Sequence, residues 1–171
     1  MRLLAAVLLI VVLALLIVPW LLGVTAPAEH VARAERNVAL PPAAVLDLLS
    51  DLDGWPRWRR GVDSAREVTG EVLLEGPAGG LFLRLGAGER SGGAAGAAGE
   101  LVVHYAATGG GFSGTWTFTV TPSGRGSAVR LRDDGVVRQP SRRFAHHYLL
   151  GYTAPLDALL ADLASAEPPP R

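Results

Sequence analysis

The sequence predicts an α+β fold in which an antiparallel sheet curves around a long C-terminal helix, preceded by one N-terminal transmembrane helix. Two observations carry this prediction. No charged residue occurs between Arg2 and Glu29, and residues 3–18 are Leu, Val, Ile and Ala alone. After this apolar stretch, a strand pattern, a helical pattern, several strand patterns and a final helical pattern follow in turn, an order typical of α+β domains.

The apolar N-terminus is long enough to cross a bilayer. A helix over residues 3–24 at about 1.5 Å per residue covers the hydrocarbon core of roughly 30 Å. A cleavable signal peptide is the alternative, because Ala26-Pro27-Ala28 fits the small-residue pattern of a cleavage site. The apolar run before Pro19 is longer than the usual h-region of about 7–15 residues, and Trp20 suits a membrane interface. We therefore expect an uncleaved, single-pass anchor.

The side of the membrane is weakly indicated. Arg2 lies before the span, while Arg33 and Arg36 follow it, so the distribution of positive charge gives no clear majority. A short N-terminal tail commonly stays in the cytoplasm. On that basis we expect the domain to lie on the extracytoplasmic side. The predicted division of the chain is 1–24 anchor, 25–30 linker, 31–165 domain and 166–171 disordered tail.

Composition excludes several classes of protein. The 16 basic residues are all Arg and are balanced by 16 Asp and Glu, with no long run of either sign, so we expect no nucleic-acid partner. The chain has no Cys, which excludes disulfides, thiolate metal ligands and a cysteine nucleophile. It also has no Lys, which excludes Schiff-base chemistry and a Walker-type phosphate site.

The first half of the domain begins with a strand over 31–38 and a helix over 43–52. Pro41 and Pro42 mark the start of that helix, since proline is tolerated in a first turn. Its apolar side chains recur at helical spacing and predict a face that packs in the core. Trp55-Pro56-Arg57-Trp58 then forms a short aromatic turn.

Six strands follow in the prediction, at 62–68, 71–75, 81–85, 101–107, 115–121 and 128–133. The fifth alternates throughout, with Trp116, Phe118 and Val120 on one face and threonines on the other. Such a sheet has one apolar and one polar face. The Gly/Ala-rich stretch 86–99 predicts a long, flexible hairpin loop.

The last predicted helix spans 141–164 and carries one apolar stripe. Pro155 lies inside it, and an internal proline removes a backbone hydrogen bond and clashes with the preceding turn. We therefore expect a kink or a brief interruption at 151–155. The stripe consists of Phe144, Tyr148, Tyr152, Leu156, Leu159, Leu160 and Leu163.

Three segments together resemble one protein superfamily. They are 38–51 followed by the aromatic turn, Gly114-Thr115-Trp116-Thr117-Phe118, and 148–163 in the last helix. Their order and spacing are similar to those of the START-like, or SRPBCC, superfamily, particularly its polyketide cyclase/dehydrase and lipid-transport branch. The resemblance implies a helix-grip fold with an apolar cavity beneath the C-terminal helix. Lipid carriers, hormone receptors and polyketide aromatase/cyclases share this fold, so the fold alone does not select an activity.

The predicted cavity lining consists of aromatic residues from the turn, the sheet and the last helix, together with one histidine. We expect these side chains to hold a hydrophobic small molecule or lipid through apolar burial, with Tyr148, Tyr152 or His104 orienting it. Packing in an ordinary core is the alternative for each aromatic residue, and a surface position is the alternative for the histidine. The full set is Trp55, Trp58, Tyr105, Trp116, Phe118, Tyr148, Tyr152 and His104.

No cofactor, metal or catalytic cluster is expected. Residues 109–114 match G-x-G-x-x-G, but a strand follows where a dinucleotide site needs a helix. His146 and His147 are adjacent, so on a helix they point about 100° apart and cannot share a metal. Two alternatives to ligand binding remain. One is an aromatase/cyclase in which His104 or Arg84 moves a proton, and the other is an interaction module with a filled core.

Overall fold

The fold was analysed in a computed structural model that describes residues 2–86 and 98–167. Most of the loop predicted at 86–99, and residues 168–171 of the predicted tail, lie outside the described residues. The helices and strands are α1 Arg2–Thr25, β1 Glu29–Val38, α2 Pro42–Ser50, a 3-10 helix Leu52–Arg57, β2 Ser64–Val68, β3 Glu71–Gly76, β4 Gly79–Leu85, β5 Gly99–Ala107, β6 Phe112–Ser123, β7 Gly126–Val137, α3 Pro140–Phe144, a π-helix Ala145–Leu150 and α4 Ala154–Ala164.

The N-terminal helix α1 is apolar and almost entirely exposed. Its stretch Val7–Thr25 has a mean hydropathy of 3.1, and only 6% of this stretch is buried. A helix of this length and composition can cross a bilayer, whereas a core helix of similar hydropathy would be mostly buried.

The connection between α1 and β1 is shorter than the predicted linker, because only Ala26, Pro27 and Ala28 separate the two elements. These residues are held in place. The backbone N–H of Val137 donates to the carbonyl of Ala28 at 2.8 Å, which continues the pairing of β1 with β7. Ala26 itself is buried. The end of α1 is therefore fixed against the domain.

The sheet has seven strands in the order β1-β7-β6-β5-β4-β3-β2, and every neighbouring pair is antiparallel. The predicted α+β helix-grip fold is thus confirmed. Side chains of β5 and β7 alternate between buried and more exposed positions, as expected for a sheet with one face on the core. The core face is concave and holds α2 and α4.

The core lies between these two helices and the concave face. Val45 and Leu49 of α2, and Leu160 and Leu163 of α4, are completely buried. They pack in one cluster with side chains of the central strands, including Phe118. Pro42 occupies the first turn of α2, as the sequence predicts.

The interruption predicted in the last helix is confirmed, and it is larger than a kink. Gly151 has φ 71°, a left-handed conformation that ends the preceding helical segment. Neither α3 nor the π-helix contains a fully buried residue, whereas α4 buries its leucines. Of the predicted apolar stripe, the α4 leucines are therefore buried, and Tyr152 between the two helical segments is partly buried against the core.

An ion-pair cluster joins α4 to the residues after the 3-10 helix. The carboxylate of Asp162 is 1% exposed and accepts hydrogen bonds from the side chains of Arg59 and Arg60. The backbone N–H of Arg60 adds a third, at 3.1 Å. Burial acts to raise the pKa of Asp162, but these hydrogen bonds outweigh burial and hold the pKa below its usual range.

Replacement of Asp162 should destabilise the domain. We expect Asp162→Asn to lower the free energy of unfolding by about 2 kcal/mol, because hydrogen bonds to a charged group are lost from a buried site. The pKa is lowered on folding, so this contribution is complete above the unfolded-state pKa near pH 4 and is lost as the pH falls below it. Urea unfolding of the solubilised chain, followed by tryptophan fluorescence from pH 7 to pH 3, measures both effects.

Asp63→Asn is the matched control, since it removes one carboxylate from an exposed position. It should change the free energy of unfolding by less than about 0.5 kcal/mol. Equal effects of the two substitutions would contradict a structural role for the Asp162 cluster.

Candidate functional site

A cavity of about 400 Å³ lies between the 3-10 helix, the sheet and the start of α3. Its apolar walls come from Trp55, from Leu74 and Leu81 of β3 and β4, and from Phe112 and Trp116 of β6. Small residues of the β3–β4 and β5–β6 connections complete the rim. The cavity is therefore bounded by ends of strands on one side of the sheet and by the C-terminal segment on the other.

The inner wall of the cavity is a stack of aromatic rings. Trp55 and Trp116 stack with centroids 6.2 Å apart and ring planes at 8°. Tyr105 lies behind this pair, 4.5 Å from Trp116 and 6.2 Å from Phe112. The indole N–H of Trp55 donates to the Leu49 carbonyl at 3.2 Å, which satisfies its buried polar atom. Large rings in fixed orientations give the cavity a rigid apolar surface.

Among the described residues, four charged side chains line the cavity, namely Arg59, Arg60, Arg142 and Glu75. The Arg142 guanidinium lies 5.5 Å from the centroid of the Phe112 ring, at cation–π distance. Arg59 and Arg60 line the opposite side, where Asp162 holds them. A ligand with an apolar body and an anionic or polar end would match this arrangement of an aromatic wall and a basic rim.

Behind the aromatic wall lies a buried polar row that the sequence analysis missed. The carboxylate of Asp133 accepts hydrogen bonds from the Tyr105 hydroxyl at 2.7 Å and from His30 Nε2 at 3.2 Å. Tyr152 stacks on His30 with centroids 3.9 Å apart. Burial, and then the hydrogen bond to Asp133, raise the pKa of Tyr105 well above its usual range. The hydroxyl therefore stays protonated and acts as a fixed donor.

Two glycines make room for this row. Gly114 and Gly135 face each other in the β6–β7 pair, flanked by Tyr105 on β5 and His30 on β1. A Cβ atom on Gly135 would lie 2.4 Å from the His30 ring and 2.7 Å from the Tyr105 hydroxyl. A Cβ on Gly114 would lie 2.5 Å from the same hydroxyl. Both positions therefore require a residue without a side chain.

Four of the predicted lining residues come together in and behind the cavity. Trp55 and Trp116 line it directly. Tyr105 supports them from behind, and Phe118 is completely buried in the core beneath. Trp116 and Phe118 lie on the same face of β6, as the alternation in that strand predicts.

The other four lie elsewhere. Trp58 contacts Trp55 at 5.1 Å but lines a separate surface groove, and Tyr152 packs against His30. Tyr148 is half exposed, because the break at Gly151 separates its segment from α4. His104 alternates with the inward-facing Tyr105 and lies on the convex face of the sheet, where its Nδ1 is 3.0 Å from Thr115 Oγ1.

Arg84, the other residue considered as a proton donor or acceptor, pairs with His104 in the sheet and is exposed. Neither of these two side chains reaches the cavity. Within residues 2–86 and 98–167, no group of three His, Cys, Asp or Glu side chains is arranged to hold a metal.

The sequence analysis also missed Phe112, Gln139 and Arg142 as cavity residues. A signal for Phe112 was present: residues 112, 114, 116 and 118 continue one period-two pattern, but the glycine run before it suggested a loop. Gln139 and Arg142 reach the cavity only because the C-terminal segment turns away from α4.

Replacement of Gly135 by alanine should disrupt the polar row. We expect Gly135→Ala to lower the free energy of unfolding by about 1–3 kcal/mol, because the added methyl overlaps His30 and Tyr105. Gly109→Ala is the control, since a Cβ there meets no atom within 4 Å. Thermal unfolding of the two variants measures the difference, and equal stability would contradict a tightly packed row.

Three solved structures are similar to this chain in fold. The START superfamily protein from Mycobacterium smegmatis has 13% sequence identity and a TM-score of 0.56, covering 79% of this chain and 94% of that one. Norcoclaurine synthase from Thalictrum flavum has 17% identity and a TM-score of 0.55, covering 82% and 94%. The di-domain ARO/CYC StfQ from the steffimycin biosynthetic pathway has 13% identity and a TM-score of 0.55, covering 81% and 50%.

These identities support the helix-grip fold and no particular activity. A search of curated proteins finds no match to the chain. The model of one family, polyketide cyclase/dehydrase and lipid transport, matches residues 29–165, from the first residue of β1 to the residue after α4. The match includes the aromatic turn, the whole sheet and the cavity. The chain belongs to the polyketide cyclase/dehydrase and lipid transport family of the START-like superfamily.

Proposed function

We propose that this protein is a membrane-anchored START-like domain that binds a hydrophobic small molecule or lipid in the cavity beside α3. The fold and the family support a hydrophobic ligand-binding domain. The apolar helix α1, as an anchor, would place this domain at a membrane surface. One observation carries the proposal. The cavity lies at the same end of the sheet as the start of β1, which three residues join to α1, so an anchored domain would hold this end toward the bilayer.

The register of the sheet supports this location. Glu29, the first residue of β1, pairs with Val136 near the end of β7, and Val137 pairs with Phe112 at the start of β6. Ala107 ends β5, and the β3–β4 connection lies at the same end. Three residues of connection span at most about 11 Å, so the start of β1, at this end of the sheet, stays close to the end of α1.

The dimensions and chemistry of the cavity suit an amphipathic ligand. Its volume of about 400 Å³ lies within the range of about 300–1,000 Å³ usual for small-molecule sites. Burial of an apolar chain against the partly exposed Phe112 and Trp116 would contribute about 25 cal/mol per Å². Arg142 on the rim would orient an anionic or polar end, and no covalent step is required.

The alternatives receive less support. A proton-transferring cyclase based on His104 or Arg84 is disfavoured, because both side chains lie away from the cavity. A ligand-free interaction module is disfavoured, because the space beside the aromatic wall is large enough for an organic molecule.

The packing of α1 on the domain supports its retention. Gly23 approaches α3 so closely that a Cβ there would lie 1.8 Å from the Pro140 carbonyl oxygen. Ala26 is buried, and its carbonyl accepts a hydrogen bond from Arg143 at 3.4 Å. A cut after Ala28 would remove these contacts. The extracytoplasmic side remains our proposal for the domain.

Filling the cavity should abolish ligand binding without unfolding the domain. Ala107→Trp places an indole in the cavity, whereas Ala106→Trp places one on the opposite, exposed face of the same strand. For each purified full-length variant, native mass spectrometry and organic extraction would identify copurifying molecules, and quenching of intrinsic fluorescence would report uptake of oleic acid and NBD-phosphatidylcholine.

We expect the natural chain and Ala106→Trp to carry a stoichiometric apolar molecule, and Ala107→Trp to carry less than about a tenth of that amount. Equal loading of the two variants would contradict binding in this cavity. An empty natural chain that takes up neither probe would transfer support to the interaction module.

The anchor should remain attached in cells. We expect the chain to resist extraction from membranes at high pH and to have the intact mass of 17.9 kDa. A soluble product that begins after Ala28 would show instead that α1 is a cleaved signal peptide.

A further inference from the structure

We propose that residues 140–150, comprising α3 and the π-helix and here called the interfacial segment, form a second membrane contact. In this proposal Tyr148, Leu149 and Leu150 insert into the boundary between headgroups and acyl chains of the bilayer that α1 crosses. The proposal rests on the proposed function in one respect, namely that α1 is a membrane span. It goes further by assigning a lipid-facing surface within the domain itself.

The segment exposes an unusual amount of apolar surface. Tyr148, Leu149 and Leu150 are 50%, 69% and 64% exposed, and they are consecutive. Among large apolar side chains outside α1, in the part of the chain that the structure describes, Val31 is the other exposed one. An aromatic residue beside two leucines, on a segment that also carries Arg142, Arg143, His146 and His147, has the composition of a helix lying in a membrane interface.

The position of the segment explains why its partner is the bilayer. Its first residue, Pro140, packs against Gly23 in the last turn of α1. Arg143 donates to the Ala26 carbonyl one residue after α1 ends. These contacts place the start of the segment against the last turn of α1, at the end of the sheet where β1 begins.

A chain of ring contacts holds the segment across this end of the sheet. His146 Nδ1 lies 3.1 Å from the Gly151 carbonyl, and the His146 ring stacks on Tyr152 at 5.3 Å. Tyr152 in turn stacks on His30, the second residue of β1, at 3.9 Å. Both ends of the segment are thus tied to residues next to α1. The left-handed conformation of Gly151 prevents it from continuing α4 over the core.

This placement has a consequence for ligand exchange. Gln139, which immediately precedes the segment, and Arg142 within it both line the cavity. A segment seated in the interface would make one wall of the cavity continuous with lipid. An apolar ligand could then pass between bilayer and cavity without crossing water.

The absence of Cys from the chain permits a direct test with single spin labels in the full-length protein. A label at Leu149→Cys measures the environment of the interfacial segment, and one at Leu13→Cys measures that of α1. A label at Ser123→Cys measures the environment of the exposed β6–β7 turn at the far end of the sheet. In vesicles of phosphatidylcholine and phosphatidylglycerol, we expect labels at 149 and 13 to be accessible to oxygen and protected from a water-soluble nickel complex. The label at 123 should show the reverse.

Two results would overturn the proposal. One is a label at 149 that is as accessible to the nickel complex as that at 123. The other is a label at 149 protected from both reagents, which would indicate coverage by protein, such as a second copy of the chain. In either case, a label at position 13 that is accessible to oxygen and protected from the nickel complex would still support α1 as a membrane span. A label at 13 exposed to water would instead contradict the anchor of the proposed function.

A second measurement tests the role in exchange. We expect the double substitution Leu149→Ser and Leu150→Ser to slow uptake of NBD-phosphatidylcholine from vesicles about tenfold, because the segment loses its apolar contact with the bilayer. Val31→Ser is the control, since it removes an exposed apolar side chain outside the segment. Unchanged uptake by the double variant, with its fold intact by circular dichroism, would overturn the role in exchange.

Discussion

The pairing of β1 with β7 is the constraint on which the arrangement of this protein depends. Ten residue pairs, from Glu29–Val136 to Val38–Ser127, fix the direction in which β1 leaves α1. Because all neighbouring strands are antiparallel, this one pairing determines which end of every other strand lies on the side where β1 begins. The three-residue connection before β1 leaves little freedom. The pairing of β1 with β7 therefore also determines that the cavity lies at the end of the sheet where β1 begins.

The buried polar row beneath the cavity illustrates how a concave sheet accommodates large side chains. Tyr105 and His30 approach Asp133 from opposite sides, over two glycines that leave the sheet without side chains at that place. The buried Asp133 carboxylate accepts hydrogen bonds from both the Tyr105 hydroxyl and His30 Nε2, so it is paired on both sides. The row fixes Tyr105, and Tyr105 fixes Trp116 at the cavity wall. Its role is to hold the wall rigid.

The break at Gly151 changes what the C-terminal part of the chain does. A continuous helix over 141–164 would carry Phe144, Tyr148 and Tyr152 along the stripe that α4 buries. In this protein, α4 is the part of that stripe that is fully buried, through Leu156, Leu159, Leu160 and Leu163. The preceding turns pack on α1 and contribute Arg142 to the cavity rim. Gly151 thus separates a core helix from a segment that contacts α1.

The sequence by itself determined the elements and the family. Apolar composition identified α1, period-two alternation placed Trp116 and Phe118 on the inner face, and Pro155 indicated the interruption of the last helix. These are local signals, since each depends on residues a few positions apart. The order of the aromatic turn, strands and final helix was sufficient to identify the superfamily.

Tertiary structure alone decided the site. Asp133 and His30 are 103 residues apart, and their contact depends on the register of β1 on β7. The pattern around His104 is compatible with either face, and only the position of the core put it on the convex side. Tyr148 precedes Leu156 by eight residues, a spacing that would place both on one face of a continuous helix. The conformation of Gly151 interrupts that helix, and Tyr148 lies outside the core. Spacing along the chain indicates on which face of a helix or strand a side chain lies. Its contacts depend on which other elements pack against that face.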